Sequence, residues 1–366
     1  MSIKNIAVIS FGDYDFDGRL RALIDNFSQL GDVYCFTRGT ANINAESVIY
    51  RGKYLRFICS SIRYIKKIAK KAKLDAVILD NRKATIPGLI LKRLMPALFY
   101  IQDCRELYLL NETHSLTGKL GCIFERKMIR KADIVICANE ERADRMVTEY
   151  SLSTRPLVYE NLRLLKYPSE KAYFDAENRL SKYIHDGEIR VVSSSGCSID
   201  RTNDVLVANF DKIKYRSRLF LVGDSTPQDV KAIKQLINEK KMENIEILGR
   251  LNQAELKYLI EQSHIGIVNY HQNDVNNKLC ASGKLFEFIY EGIPVVTTSN
   301  PPLRHICEEW EVGLVDDNFF NGINLIAANY VYYKNKTEEY GSRYTIAENN
   351  SKFIGQILKR MGERSK

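Results

Sequence analysis

Residues 282–297 read SGKLFEFIYEGIPVVT, and their reading sets the fold of the chain. Ser282 and Gly283 open a short helix, Gly292 and Pro294 end it, and a buried β-branched strand follows at once. A helix start presents free amide N–H groups and a partial positive charge, a natural place for a phosphate. Lys284 sits in that first turn, against the usual preference for acids, and an anionic ligand would resolve the mismatch. Glu287 follows three residues later on the same face, where a carboxylate accepts the two hydroxyls of a ribose. By spacing alone, a plain surface Lys–Glu (i, i+3) contact explains the pair equally simply.

Outward from this stretch, apolar β-branched runs alternate with helical patterns almost from end to end, the signature of α/β layers on parallel sheets. Strands are expected at Asn5–Ser10, Val33–Phe36, Ala76–Leu79, Ala97–Ile101, Ile134–Cys137 and Leu157–Tyr159. The rhythm restarts with Ile189–Ser194, Arg218–Val222, Ile245–Leu248, Ile265–Val268, Pro294–Thr297 and Gly313–Val315. Between the two series lies a polar, proline-containing stretch. The sequence therefore predicts a Rossmann-like domain over 1–165, a linker over 166–187, a second Rossmann-like domain over 188–340 and a C-terminal helix over 341–366. That helix is expected to carry Phe353, Ile354 and Leu358 on one stripe and to pack back on the first domain. Ligands are expected in a crevice beyond the carboxyl ends of the parallel strands.

At 366 residues and ~150 per domain, two domains are the natural count. No run of about 18 apolar residues exists to span a membrane, and the N-terminus reads as a cytosolic first strand rather than a secretory signal. Eight scattered cysteines without a C-x-x-C pair suit free thiols in a reducing compartment. Charge is uneven: residues 1–186 hold 31 basic and 22 acidic residues, while 187–366 hold 23 of each. Residues 51–74 carry nine Lys or Arg and no acid, with Leu55, Ile58, Ile62, Ile65 and Ile68/Ala69 at helical spacing. This reads either as a solvated helix docked on a sheet or as one that also touches an anionic membrane surface. No aromatic platform or nucleic-acid motif accompanies the charge, so no nucleic-acid partner is expected.

The 282–297 stretch resembles the donor segment of family 4 glycosyltransferases of the GT-B fold, in which K-x-x-E-x-x-x-x-G-x-P-V-V runs into a strand. Leu248–Leu256 (LGRLNQAEL) resembles that family's strand-G-R-turn before a helix. Lys131–Ala138 is similar to its late N-domain strand, and Tyr159-Glu160-Asn161 to its entry into the linker. The likeness covers most of the chain, is strongest over 245–316 and is weak before residue 95. It implies two doubly wound domains facing across a cleft, with a nucleotide-sugar donor on the C-terminal domain.

Carried over residue by residue, the resemblance makes Glu287 the ribose ligand and backbone near Arg250 and Leu251 the base pocket. Lys284 and Arg250 are placed at the diphosphate and named as catalytic, with Asp103, while Gly283 and Leu285 complete the helix start. The loop Ser195–Arg201 matches the family's phosphate loop in part: Gly196 fits, Cys197 stands where Arg is common, and Arg201 takes the Lys function. Leu279 replaces the family's second glutamate, leaving Asn276, Asn277 and amides near 281–283 to meet the sugar.

On the N-terminal side, Gly12, Asp13 and Gly18 lie in the loop after the first strand, where the family approaches acceptor and phosphates. The alternating Asp13, Asp15 and Asp17 mimic a D-x-D metal motif but read more simply as an acidic turn or helix cap. Asp103 closes a strand, with the helix-cap role as its plain alternative, and Glu106 and His114 follow in its loop. His271 sits in a polar loop after a later strand, near substrate.

The expected function is transfer of a sugar, hexosyl in the first instance, from a UDP- or GDP-sugar to a glycan or polyprenyl-linked glycan. Retention of configuration follows from the resemblance, as does a setting in surface-polysaccharide assembly, cytoplasmic and peripheral at the inner membrane face through 51–74. The donor is a substrate; no cofactor and no metal are expected. The alternatives are a GT-B-fold UDP-sugar 2-epimerase, or a non-catalytic sugar-nucleotide-binding scaffold.

Overall fold

The computed structural model describes residues 4–39, 43–44 and 46–364, and the chain divides into two compact units. The first holds residues up to Asn161 together with those from Ala347 onward; the second runs from Leu162 to Ile346.

In the first unit, β1 (Asn5–Asp13), α1 (Gly18–Ser28), β2 (Asp32–Arg38), β3 (Val48–Ile49), α2 (Tyr54–Ala72) and β4 (Ala76–Asp80) come first. α3 (Thr85–Leu94), β5 (Phe99–Asp103), α4 (Leu116–Ile129), β6 (Ile134–Cys137), α5 (Glu140–Tyr150) and β7 (Leu157–Val158) follow. The seven strands are all parallel in the order β3-β2-β1-β4-β5-β6-β7. Strands such as β4 (AVILD) are buried along their whole length, which is why they read as continuous apolar runs.

The second unit repeats the plan. It contains α6 (Glu170–Leu180), β8 (Ile189–Ser193), α7 (Asn203–Asn209), β9 (Ser217–Val222), α8 (Pro227–Glu239), β10 (Ile245–Gly249) and α9 (Gln253–Glu261). Then come β11 (Ile265–Val268), α10 (Val275–Lys278), α11 (Gly283–Tyr290), β12 (Val295–Thr297), α12 (Pro301–Trp310), β13 (Gly313–Val315), α13 (Phe320–Ala328) and α14 (Tyr330–Arg343). Its six parallel strands are ordered β10-β9-β8-β11-β12-β13. Strand order reverses at β1/β4 in one sheet and at β8/β11 in the other, so each unit has its topological switch point beside its first strand.

Helix α15 (Ile346–Arg364) closes the first unit, as expected of the C-terminal helix. Phe353 stacks on Tyr159 with ring centroids 4.4 Å apart and meets Phe27 edge-on at 6.0 Å. Its buried stripe is Phe353, Ile357 and Met361; the expected Leu358 faces solvent and Ile354 is only half-buried. The same rotation occurs in α2, whose buried side chains are Phe57, Ser61, Tyr64, Ile65 and Ile68, leaving the expected Leu55 78% exposed. Phe57 and Tyr64 join Phe36, Tyr50 and Phe11 in one aromatic cluster, and rings bury more area than the aliphatic stripe they displace.

Three boundaries differ from the sequence reading. The expected linker over 166–187 carries α6, whose Ala176 and Leu180 enter the second unit's core against α9. The units divide after Asn161 and after Ile346, because Tyr340 of α14 packs on Phe286 and Trp310 within the second unit. The two-residue edge strand β3 is too short to show any alternation in sequence. All eight cysteines are free thiols, and only Cys59, on α2, is exposed. No described helix is long and apolar enough to cross a membrane.

Candidate functional site

At the switch point of the second unit, β8 ends in the turn 194–202 and α11 begins beside it. Gly196 adopts φ +65°, and a Cβ there would lie 2.4 Å from Ser225 Oγ and 2.8 Å from the Asp224 carbonyl, so the turn requires glycine. Cys197, in the position expected for a phosphate-binding arginine, turns inward and is fully buried. A buried polar lattice fixes the loop from below. Ser193 Oγ donates to Asn203 Oδ1 at 2.9 Å, Ser195 Oγ to Asn269 Oδ1 at 3.0 Å, and Asn269 Nδ2 to Asn203 Oδ1 at 3.1 Å.

Lys284 extends from the first turn of α11 and donates its ammonium to the Ser194 carbonyl. Burial, with the nearby Arg201 cation, pushes it down to about 8, and Arg163 adds to the shift while Glu287 opposes it. Arg201 lies over the Tyr270 ring at 4.0 Å and donates to Asn277 Oδ1 at 3.2 Å. Glu287 is mostly buried on the same helix face; burial raises its carboxyl against the pull of Arg163 and Lys284.

Arg163 was not foreseen. Its guanidinium reaches to 3.9 Å from Glu287 Oε1 and its stem crosses the start of α11, where a Cβ on Gly283 would meet Arg163 Cδ at 2.5 Å. Gly283 thus makes room for an arginine 120 residues away in sequence, a relation no local spacing reveals. Ser282 is the N-cap of α11 but makes no side-chain cap bond. The buried hydroxyls of Ser282, Ser194 and Thr202 have no hydrogen-bond partner among the described residues. The cations Lys284, Arg201 and Arg163, a helix start without a side-chain cap and hydroxyls without partners give this end of the unit the chemistry that suits an anion.

The other expected donor residues have mixed surroundings. Leu285 is buried in the core, so only its backbone is available. Arg250 lies beyond the end of β10 with its side chain 75% exposed, 3.5 Å from Asp224 Oδ2, and Leu251 packs at the edge of the core. Asn277 is engaged by Arg201 and by Asp274, to which it donates at 2.7 Å. His271 accepts from the Asn273 amide at 3.2 Å and holds Nε2 3.6 Å from Asp274 Oδ2.

The switch point of the first unit is closed by charge. Asp103 is fully buried, its two carboxylate oxygens gripped by Arg19 at 2.7 and 3.1 Å, and Arg19 also donates to the Tyr159 carbonyl at 2.8 Å. Arg105 bonds Asp17 and lies 2.6 Å from Asp80, and Ser10 donates to Asp80, whose carboxyl burial pushes up to about 6. Arg142 donates to the Arg105 carbonyl. The role expected of Asp103, reaching a substrate, gives way to a buried ion pair that leaves it no free surface. Asp17 is the N-cap of α1 through the Leu20 amide, Asp13 accepts from the Asp15 amide, and the three aspartates do not converge. Gly12 donates its N–H to Ser10 Oγ at 2.8 Å. Gly18 opens α1, and a Cβ there would meet only Arg21 Nη2, at 3.9 Å, so no close backbone approach explains it. Glu106 and His114 are exposed in the loop that follows β5.

The sequence matches no family model and no curated protein. Solved structures do match along the whole chain. A sucrose-phosphate synthase from Thermosynechococcus elongatus superposes with TM-score 0.72 at 18% identity, covering 99% of this chain and 100% of that one. Anabaena HepE, in complex with UDP and glucose, gives 0.71 at 14% identity over 97% and 100%. A glycosyltransferase from Rickettsia africae gives 0.70 at 15% identity over 100% of both chains. A UDP-GlcNAc 2-epimerase from Neisseria meningitidis follows at 0.57 and 12% identity. At these identities the likeness establishes the fold: two Rossmann-like doubly wound units of the GT-B type.

Proposed function

We propose that this protein is a sugar-nucleotide-dependent glycosyltransferase of the family 4 type, with the donor held by the second unit. The observation that carries the reading is the imbalance at α11, where the buried Lys284 feels two further cations, Arg201 and Arg163, against the one carboxylate of Glu287 at a helix start. Breaking a glycosyl–phosphate bond leaves negative charge on the diphosphate, and cations fixed before the reaction lower that barrier. Lys284 and Arg201 take the diphosphate with the amides of 283–285, and Glu287 takes the ribose. Arg250, on the rim, contributes through its backbone with Leu251 to the base pocket. Asp103 acts by fixing Arg19 rather than by touching substrate. UDP-sugars are the first donors to test, since Anabaena HepE has been solved with UDP, with UDP and glucose, and with UDP-glucose.

The acceptor in this reading is a glycan, polyprenyl-linked, in surface-polysaccharide assembly at the inner membrane face, and transfer is retaining and metal-independent. An epimerase would need carboxylates free for proton transfer, whereas Asp80 and Asp103 are buried and bound to arginines. A thermal-shift screen against UDP-, GDP-, ADP- and CMP-sugars, with and without EDTA, tests the assignment. One nucleotide class is expected to raise the melting temperature regardless of EDTA, followed by turnover with an acceptor. No shift with any class overturns it, and binding without turnover of any acceptor favours the scaffold.

A further inference from the structure

Helices α2, α3 and α4 lie side by side on one face of the first sheet, burying Phe57, Leu91 and Met128 respectively into a common core. Their outer surface is unusual in two ways. α4 points a row of large apolar side chains at solvent: Leu116 is 80% exposed, Leu120 53%, and Ile123 completes the stripe at i, i+4, i+7. Ile90 and Leu94 of α3, also one turn apart, are exposed beside it. The second feature is charge. α2 and α3 contain no acidic residue, and the one acid of α4, Glu125, is buried and paired with Arg82. Exposed cations remain at Arg56, Arg63 and Lys66 on α2, Arg93 on α3, and Lys119 and Arg126 flanking the apolar row of α4. Glu46, from the preceding loop, draws only Lys67 and Lys71.

We infer that this face docks on an anionic lipid bilayer, with the Leu116–Leu120–Ile123 row of α4 entering the acyl boundary and the cations of α2 and α3 held by headgroups. The inference deepens the peripheral-membrane part of the proposed function and is tested apart from donor binding. It also corrects the sequence expectation for 51–74: the apolar stripe of α2 is spent in the protein core, so α2 supplies charge and α4 supplies the inserted surface. A second copy of the chain is disfavoured as occupant, because a two-fold contact through this face would set cations against cations. An anionic bilayer satisfies both features at once, since apolar burial and headgroup attraction add.

The single exposed thiol, Cys59 on α2, is a ready reporter. The full chain, labelled there with a polarity-sensitive fluorophore, is titrated with vesicles of phosphatidylcholine alone or with phosphatidylglycerol added. A blue shift with the anionic vesicles, reversed by salt, is expected, with co-sedimentation in parallel. Leu120→Asp and the milder Leu116→Gln/Leu120→Gln are expected to weaken binding by tenfold or more, and Lys119→Glu by about fivefold. Leu325→Asp, at an exposed leucine of α13 in the second unit, is expected to change nothing. Melting temperature and circular dichroism report that each variant is folded. No binding of the wild type to anionic vesicles, equal binding to neutral ones, or undiminished binding of a folded α4 variant overturns the inference. So does a concentration-dependent dimer that the α4 variants abolish.

Discussion

The two units end their central strands in opposite electrostatic states. In the first, Arg19, Arg105 and Arg142 meet Asp17, Asp80, Asp103 and a backbone carbonyl, and the charges answer one another inside the protein. In the second, Lys284 and Arg163 share the carboxylate of Glu287, and a third cation, Arg201, acts on Lys284 with no acidic partner of its own among the described residues. The same topology thus yields a sealed pole and an unfinished one. Compensated charge at a strand end builds scaffold; uncompensated charge at the same address marks where a ligand completes the structure.

The largest effect should come from opening the sealed pole. Asp103→Ala leaves Arg19 buried without its partner and is expected to cost about 3–5 kcal/mol of stability, read by urea denaturation. A variant of unchanged stability would make Asp103 a substrate-facing group and erase the contrast. Next is Lys284→Ala, expected to weaken UDP binding by about 10- to 100-fold in calorimetry while the fold holds. Unchanged affinity would remove α11 from the site.

The contrast is sharpened by pH. Lys284 titrates near 8 in the free protein, and a bound diphosphate favours its charged form. Affinity for UDP should therefore be full below about pH 8 and fall by up to about tenfold per unit above it, and Lys284→Arg should flatten that limb. The smallest effect is assigned to Arg163→Ala, about three- to tenfold in UDP affinity, because its half-exposed guanidinium is screened by water.

The strands were legible because parallel sheets demand long apolar runs, and the helix start at Gly283 was legible from its punctuation. The pairing of Lys284 with Glu287 on one helical face was legible for the same reason, since both lie on one helical turn. Arg163 was not, because it reaches α11 only through the tertiary fold. The surroundings of Arg250 and Asp103, solvent for one side chain and a buried arginine for the other, were not legible because the tertiary fold sets them. Helical stripes drifted by a residue or two in α2 and α15, where aromatic side chains set the rotation.

The closing helix α15 has a consequence for how the molecule is made. Phe353, Ile357 and Met361 complete a core otherwise built from residues before 162, so the second unit is an insertion within the first. During synthesis the second unit has all its residues before the first can seal its sheet, and the face around Phe27 and Tyr159 stays open until the end. A nascent chain stalled after residue 346 would hold a finished second unit and a first unit whose core still lacks Phe353, Ile357 and Met361.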